Sequence, residues 1–128
     1  MILLLDTSTP LCKLTLVDGE QWHIDEWQAD RTLAKNLLRY MQGQLRHYDK
    51  SFADILGIGV YQGPGSFTGL RIGLTVLNTM ADSERVPIVG VQGDDWQRVA
   101  IQRLMAGEND KIVLPFYGSE AHITTPRK

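Results

Sequence analysis

Short apolar runs recur along the chain and predict the strands of a sheet. Residues 2–5 and 55–61 are almost continuously apolar, which is typical of strands that are covered on both faces. Residues 11–17 alternate between two faces and lead into Asp18-Gly19, a strong signal for a two-residue hairpin. The opening of the chain therefore predicts a three-stranded meander, whose third strand spans residues 20–27 and carries Trp22, Ile24 and Glu26 on one face.

Two longer segments have the spacing of amphipathic helices. Residues 32–48 place their apolar side chains within an arc of about 160°. Residues 70–84 carry two adjacent apolar faces that together span about 200°, roughly twice what a helix lying on a sheet needs. The excess predicts that this second helix is covered twice, by the sheet and by something else. The second of its two faces consists of Ile72, Val76 and Met80.

Further elements follow after Pro87. Residues 88–91 predict another buried strand, and residues 94–106 predict a helix that ends before Gly107. Residues 112–116 and 121–125 predict a terminal β-hairpin around Gly118-Ser119. Because strands alternate with helices, we expect parallel pairing through right-handed crossovers. The fold class is therefore α/β, with a mixed five-stranded sheet and the opening hairpin at one edge.

Composition excludes several classes of protein. A chain of 128 residues suggests one domain, and its net charge of −2 argues against unaided binding of nucleic acid. The single cysteine, Cys12, cannot form an intrachain disulfide, and its place in a strand predicts a structural position. The apolar start of the chain is too short for a signal peptide or a membrane span. We therefore expect a cytoplasmic protein that does not bind membranes.

A glycine-rich turn between a predicted strand and a predicted helix is the most distinctive motif, reading GPGSFTGLR over residues 63–71. It lacks the lysine of a P-loop, and its glycines are spaced one residue too widely for a dinucleotide fingerprint. Two interpretations remain, an anion-binding loop or a tight packing junction, and the second is favoured. The residues concerned are Gly63, Pro64, Gly65, Ser66, Phe67, Thr68, Gly69 and Arg71.

Other chemistry is sparse, and we predict no catalytic residue and no metal site. The three histidines, His23, His47 and His122, are not spaced as metal ligands. Asp6, at the end of the first strand, is suited either to hold Mg²⁺ through water or to cap its own turn. Asp94-Asp95 is expected at the N-terminus of the third helix. Ser66 lacks the surroundings of a nucleophile elbow.

The order of elements resembles one lobe of the actin-like ATPase and sugar-kinase (ASKHA) fold, and the motifs resemble the TsaB (YeaZ) family. The match is carried by ILLLDTS at residues 2–8, by IGVYQGPGSFTGLRIG at residues 58–73 and by PIVGV at residues 87–91. It covers residues 1–106. Leu33-Ala34 stand where the family has a His-Ser pair, and Pro115-Phe116-Tyr117 replace its Asp-Ala-Arg. We expect an N-terminal lobe over residues 1–108 and a remnant of a second lobe over residues 109–128.

The resemblance implies a non-catalytic scaffold subunit rather than an enzyme. Its expected partner is the catalytic paralogue TsaD, which would carry ATP and metal and transfer a threonylcarbamoyl group to the tRNA adenosine beside the anticodon. A TsaE-like ATPase is a further expected partner, and tRNA would be met only through the complex. No cofactor is expected in the chain itself. The resemblance implies a dimer surface on the first two helices, used either with the paralogue or with a second copy of the chain as a possible homodimer. Its predicted residues are Leu33, Leu37, Tyr40, Met41, Ile72, Val76 and Met80.

Two other functions remain open at this point. One is a minimal ATP-dependent phosphotransferase of the same fold, and the other is a homodimeric binding module without a tRNA role. Trp22 and Trp27, in a predicted edge strand, suit an interface and a core position equally well.

Overall fold

The computed structural model describes residues 1–117, which form one sheet with helices on both of its faces. Short 3₁₀ turns at Asp30–Thr32 and Phe52–Asp54 precede the first helix and the fourth strand. In chain order the elements are β1 (Ile2–Asp6), β2 (Leu11–Asp18), β3 (Gln21–Gln28), α1 (Leu33–His47), β4 (Gly57–Tyr61), α2 (Phe67–Glu84), β5 (Ile88–Val91) and α3 (Trp96–Met105).

The sheet is mixed and five-stranded, with the order β3-β2-β1-β4-β5. β1 lies at its centre, antiparallel to β2 and parallel to β4, and β4 is parallel to β5. The hairpin of β2 and β3 forms one edge, where Asp18 is opposite Gln21. The predicted fold class, the mixed pairing and the position of the opening hairpin are therefore confirmed.

The two faces of the sheet are covered differently. Leu3 and Leu5 point to one face, where they join the core beneath α1 and α2. Leu4 points to the other face, where it packs with residues of β5 and α3. The alternation of side chains along β1 thus divides the interior into two layers. The layer under α3 includes Val89, Val91, Trp96 and Ala100.

Cys12 is buried in the core under α1, and Tyr40 connects α1 to the edge of the sheet. Burial raises the pKa of the Cys12 thiol to about 12, with the charges of Asp6 and Asp25 adding to the effect. The thiol is therefore protonated at neutral pH, which confirms the predicted structural position. The Tyr40 hydroxyl donates to Asp25 Oδ2 at 2.5 Å, and its ring lies 4.8 Å from that of Trp27. Trp27 is accordingly part of the packing beneath α1.

The segment after α3 differs from its prediction. No strand forms over residues 112–116, so the first arm of the predicted hairpin is wrong, and the second arm lies outside the described residues. The reason is that side chains, and not a neighbouring strand, bind this backbone. The Asn78 amide accepts from Val113 N and donates to Val113 O, both at 2.9 Å. Gln62 binds Leu114 O through its side chain and Phe116 N through its carbonyl. The predicted division after residue 108 stays a prediction.

The same segment closes the outer edge of β5. Asn109 Oδ1 accepts from Ile88 N at 3.1 Å, and Asp110 Oδ2 accepts from Gly90 N at 2.9 Å. Arg103 Nη1 donates to Gly90 O at 3.1 Å and also pairs with Asp110. Although burial acts in the opposite direction, the hydrogen bonds from Arg103 and Gly90 hold the pKa of Asp110 below its ordinary value. The exposed hydrogen-bonding groups of this edge strand are thus already used.

Candidate functional site

The glycine-rich turn packs against the turn between β1 and β2. A Cβ atom at Gly65 would lie 2.8 Å from the carbonyl oxygen of Ser8, and one at Gly73 would lie 3.0 Å from Cγ2 of Thr7. A Cβ atom at Gly69 would come still closer to the carbonyl oxygen of Thr7. A larger residue at Gly65 or Gly69 would push two backbone segments apart, and one at Gly73 would displace the Thr7 side chain. The structure therefore supports the interpretation of this loop as a packing junction.

Hydrogen bonds complete this junction. Thr7, which is 1% exposed, donates from Oγ1 to Gly69 O at 2.7 Å, and Ser66 N donates to Ser8 O at 2.8 Å. Asp6 Oδ1 accepts from Ser8 N at 2.8 Å, so the carboxylate caps its own turn, one of the two roles left open for it. Ser66 Oγ accepts from Gly69 N and so caps α2. These contacts hold the start of α2 against the turn between β1 and β2.

A groove opens where α1 and α2 lie side by side on the same face of the sheet. We call it the α1–α2 groove. It extends from Phe67 at the start of α2 to Met80 near its end, and its larger part has a volume of about 610 Å³. Leu38 and Phe67 are 50% and 54% exposed along it. Its central lining consists of Ala34, Leu38, Ile72, Thr75 and Val76.

The structure divides the seven predicted partner residues into two groups. Met80 is 7% exposed but lines the end of the groove, and its assignment as a partner residue stays a prediction. Leu33, Leu37 and Met41 are at most 6% exposed and belong to the core of the chain, so they leave almost no surface to a partner. The physical reason is that the centre of the apolar arc of α1 faces the sheet, and only its flank reaches the groove. Tyr40 is also bound within the chain, to Asp25.

Ile72 and Val76 are further predicted residues that line the groove, and both are half-buried. Their assignment as partner residues stays a prediction. Ala34 and Leu38 were not among the predicted residues, yet both are exposed in the groove. Ala34 and Leu38 are four residues apart and directly follow the buried Leu33 and Leu37, so they lie together beside the buried stripe of the helix. This spacing could have indicated them from the sequence.

Arg71 and Phe67 lie at the end of the groove where α2 begins. The Arg71 guanidinium carbon is 5.1 Å from the centre of the Phe67 ring, a cation–π geometry. The ring of Tyr117 lies 4.7 Å from that of Phe67. This end of the groove therefore combines aromatic surface with a positive charge. The predicted reach of Arg71 to an acidic group or phosphate of a partner stays a prediction.

The remaining candidate residues take part in local contacts. The ring of His23 stacks on Tyr48 at 3.9 Å, and His47 contacts the edge of the same ring. His122 lies outside the described residues. Asp95 holds the N-cap position of α3 as expected, but its carboxylate pairs with Arg98 and makes no capping hydrogen bond. Within residues 1–117, no group of three potential metal ligands comes together.

Over the described part of the chain, none of the helices is both long and apolar enough to cross a membrane.

The sheet order, the two crossovers and the junction of Thr7 with α2 define a class of protein, the α/β lobe of actin-like ATPases. A family model described as "TsaD: tRNA N6-adenosine threonylcarbamoyltransferase" matches residues 27–102, more than half of the chain. The chain belongs to this family.

Individual proteins similar to the chain show which members of this family it resembles. TsaB of Haemophilus influenzae is 31% identical over 109 residues, which cover 84% of this chain and 46% of that protein. TsaB of Escherichia coli is 31% identical over 112 residues, covering 82% and 48%. The solved structure of YeaZ from Pseudomonas aeruginosa matches with a TM-score of 0.67 at 28% identity, over 71% of this chain and 43% of that one. The predicted resemblance to TsaB (YeaZ) is confirmed, and the chain spans about half the length of these curated relatives.

Proposed function

We propose that the chain is a non-catalytic scaffold subunit in the threonylcarbamoyl modification of tRNA, and that it binds the catalytic paralogue through the α1–α2 groove. The observation that carries this proposal is the groove itself. The buried sides of α1 and α2 cover one face of the sheet, yet Leu38, Ile72 and Val76 add apolar surface beyond what that face needs. Exposed apolar grooves of this kind mark sites of protein association.

The junction of the two turns supports a scaffold over an enzyme. In actin-like ATPases the turn after the first strand holds phosphate, and Asp6-Thr7-Ser8 occupy that position here. Each of these three residues already makes a hydrogen bond within the chain, to Ser8, Gly69 and Ser66 respectively. ATP and metal are therefore assigned to the catalytic partner in this proposal.

The other partners follow from the same proposal. With a net charge of −2, the chain meets tRNA only through its complex, in the cytoplasm. A TsaE-like ATPase is a further partner of the assembled complex. The relatives named TsaB are described as tRNA threonylcarbamoyladenosine biosynthesis proteins, which supports the assignment to this modification.

A titration tests the proposed function. The catalytic paralogue from the same organism is titrated into the chain by calorimetry, and the mass of the product is measured by light scattering. We expect a one-to-one complex, and we expect no heat when Mg-ATP is titrated into the chain alone. Micromolar binding of Mg-ATP without a partner would favour the phosphotransferase instead. A chain that ignores the catalytic paralogue would contradict the scaffold role.

A further inference from the structure

The two edges of the sheet are protected to different degrees. At β5, the side chains of Arg103, Asn109 and Asp110 bind the outward backbone groups. At the other edge, no strand within residues 1–117 lies beyond β3. Natural edge strands are usually short or protected by proline, lysine or a bulge, because an open edge pairs with other chains. β3 has eight residues and contains neither proline nor lysine.

The hairpin geometry determines which backbone groups of β3 point outward. Asp18 and Gln21 close a two-residue turn, so they form a hydrogen-bonded pair. At the other end of the hairpin, Ala29 N donates to Pro10 O at 3.0 Å. Bonded and non-bonded pairs alternate in an antiparallel ladder, so every second residue from Gln21 binds β2. The outward N–H and C=O groups belong to the residues between them, namely Trp22, Ile24, Glu26 and Gln28.

The side chains of these residues are open to solvent. Trp22 is 44% exposed and Ile24 is 69% exposed. Ile24 lies opposite Thr15, which lies opposite Leu4, so this row belongs to the face of the sheet that carries α3. α3 packs against β4 and β5, at the other end of the sheet. Exposed apolar side chains and outward backbone groups thus coincide on β3, as a site for a further strand requires.

Charge along this edge determines what kind of strand it accepts. Residues 18–30 contain five of the 15 Asp and Glu residues of the chain and none of its 13 Lys and Arg residues. Lys13 of β2 lies opposite Glu26, but neither Glu26 nor Asp25 takes part in an ion pair within residues 1–117. A basic strand therefore meets complementary charges here, whereas a strand that sets carboxylates against them is repelled.

We propose that β3 binds an extended basic segment of another protein, which adds to the sheet as a sixth strand antiparallel to β3. In this mode of recognition, main-chain hydrogen bonds provide the affinity and alternate side chains provide the specificity. Antiparallel pairing is slightly more stable per residue than parallel pairing. A second copy of β3 fits this edge less well, because it brings no lysine or arginine to the carboxylates.

The register gives the sequence pattern that the segment needs. Read from its N-terminus, the segment has two basic residues, an apolar residue, any residue and a second apolar residue. The basic residues lie opposite Glu26 and Asp25. The apolar residues lie opposite Ile24 and Trp22, on the face where those two side chains are exposed. The pairs at Glu26, Ile24 and Trp22 use the outward backbone groups and exchange hydrogen bonds.

The proposed sixth strand is independent of the proposed function. The lining of the α1–α2 groove comes from α1, α2 and Phe52, whereas the sixth strand lies along β3. The two ideas therefore fail separately: loss of the β3 contact changes the affinity for a basic peptide, and loss of the groove contact changes the affinity for the catalytic paralogue.

Amide NMR of the full chain tests the pairing directly. The probe is the synthetic peptide acetyl-GRKVTVG-amide, which has the required pattern. When it is added, we expect amide hydrogen exchange to slow at Trp22, Ile24 and Glu26 and to stay the same at His23 and Asp25, whose N–H groups already bind β2. No change at millimolar peptide would overturn the proposal. Slow exchange at all three outward amides before any peptide is added would also overturn it, because a second copy of the chain would then fill the edge.

Reversal of one charge tests the selectivity. The matched peptide acetyl-GEKVTVG-amide has glutamate in place of the basic residue opposite Glu26, and we expect it to bind the wild-type chain about tenfold more weakly. Glu26→Lys is expected to reverse this order, so that the glutamate peptide binds more tightly than the arginine peptide. Equal affinity of the two peptides for both proteins would contradict the proposed register.

Proline at the edge tests the outward hydrogen bonds. Ile24→Pro removes one outward N–H group and leaves the bonds between β3 and β2, at a position where an edge strand tolerates proline. Ile24→Thr is the matched control, because it keeps the N–H group and a β-branched side chain. We expect the arginine peptide to bind Ile24→Thr and not Ile24→Pro, with folding checked by circular dichroism. Binding that survives in a folded Ile24→Pro chain would overturn the proposal, and if that variant fails to fold, the charge reversal at Glu26 decides.

Discussion

Val76→Glu is expected to weaken binding of the catalytic paralogue about a hundredfold or more, because it would place a charge in a desolvated part of the interface. Val76 lines both parts of the α1–α2 groove, as Ala34 and Thr75 do, and its side chain is half-buried. A hundredfold change corresponds to about 2.7 kcal/mol of binding free energy. The affinity is measured by calorimetry, and the fold by circular dichroism.

Gln102→Glu provides the control for that prediction. It adds the same charge at an exposed position of α3, on the opposite face of the sheet. We expect this variant to bind with the affinity of the wild-type chain. If Val76→Glu unfolds the protein, then Val76 belongs to the core, and if both variants bind normally, then the groove is not the partner surface.

Gly73→Ala is expected to lower the free energy of unfolding by about 2–5 kcal/mol, as the sum of overpacking and of a broken buried hydrogen bond. A methyl group at Gly73 would overlap the Thr7 hydroxyl and lie 3.0 Å from its Cγ2. Thr7 cannot turn away without losing its hydrogen bond to Gly69, and it is almost completely buried. The change is measured by urea unfolding.

Gly43→Ala is the matched control, because it makes the same substitution inside the other helix of the pair. An added Cβ at Gly43 would meet no atom within 4 Å. Alanine there is expected to stabilise the chain by about 0.5–1 kcal/mol, since glycine costs that much in a helix interior. Stabilisation by both variants would show that the turn after β1 is not packed against α2 as described.

Most of the sheet could be predicted because its signals are local. Asp18-Gly19 specified the hairpin, and the continuous apolar run of residues 2–5 indicated a strand with both faces covered. Because the predicted strands alternate with helices, and crossover connections are right-handed, only a few arrangements of the strands in the sheet were possible. The predicted order of elements through α3 therefore matches the structure, with α2 beginning three residues earlier because Ser66 caps it.

The groove was harder to predict, because an apolar arc does not show which part of it faces the sheet. Leu37 and Leu38 are equally apolar, yet the first is fully buried and the second is half exposed. The choice between them depends on the rotation of α1. That rotation is set by distant contacts such as the hydrogen bond between Tyr40 and Asp25.

The segment after α3 was mispredicted for a related reason. Residues 112–116 are a short apolar run of the kind that indicates a strand, but Val113 is buried against Gly90 and is bound by the Asn78 side chain. Asn78 appeared in the sequence as one polar position of α2 among several. Polar side chains that replace a neighbouring strand leave no periodic signal, so only the three-dimensional structure reveals them.

The central claim is that the catalytic paralogue docks in the α1–α2 groove, and methyl-group NMR tests it most directly. The methyl resonances of Leu38, Ile72 and Val76 are recorded as unlabelled catalytic paralogue is added, with Val99 and Ile101 on α3 as internal references. The account predicts that the groove methyl groups shift or broaden while the reference groups follow only the change in size. A complex that forms while the three groove methyl groups remain unchanged would contradict it.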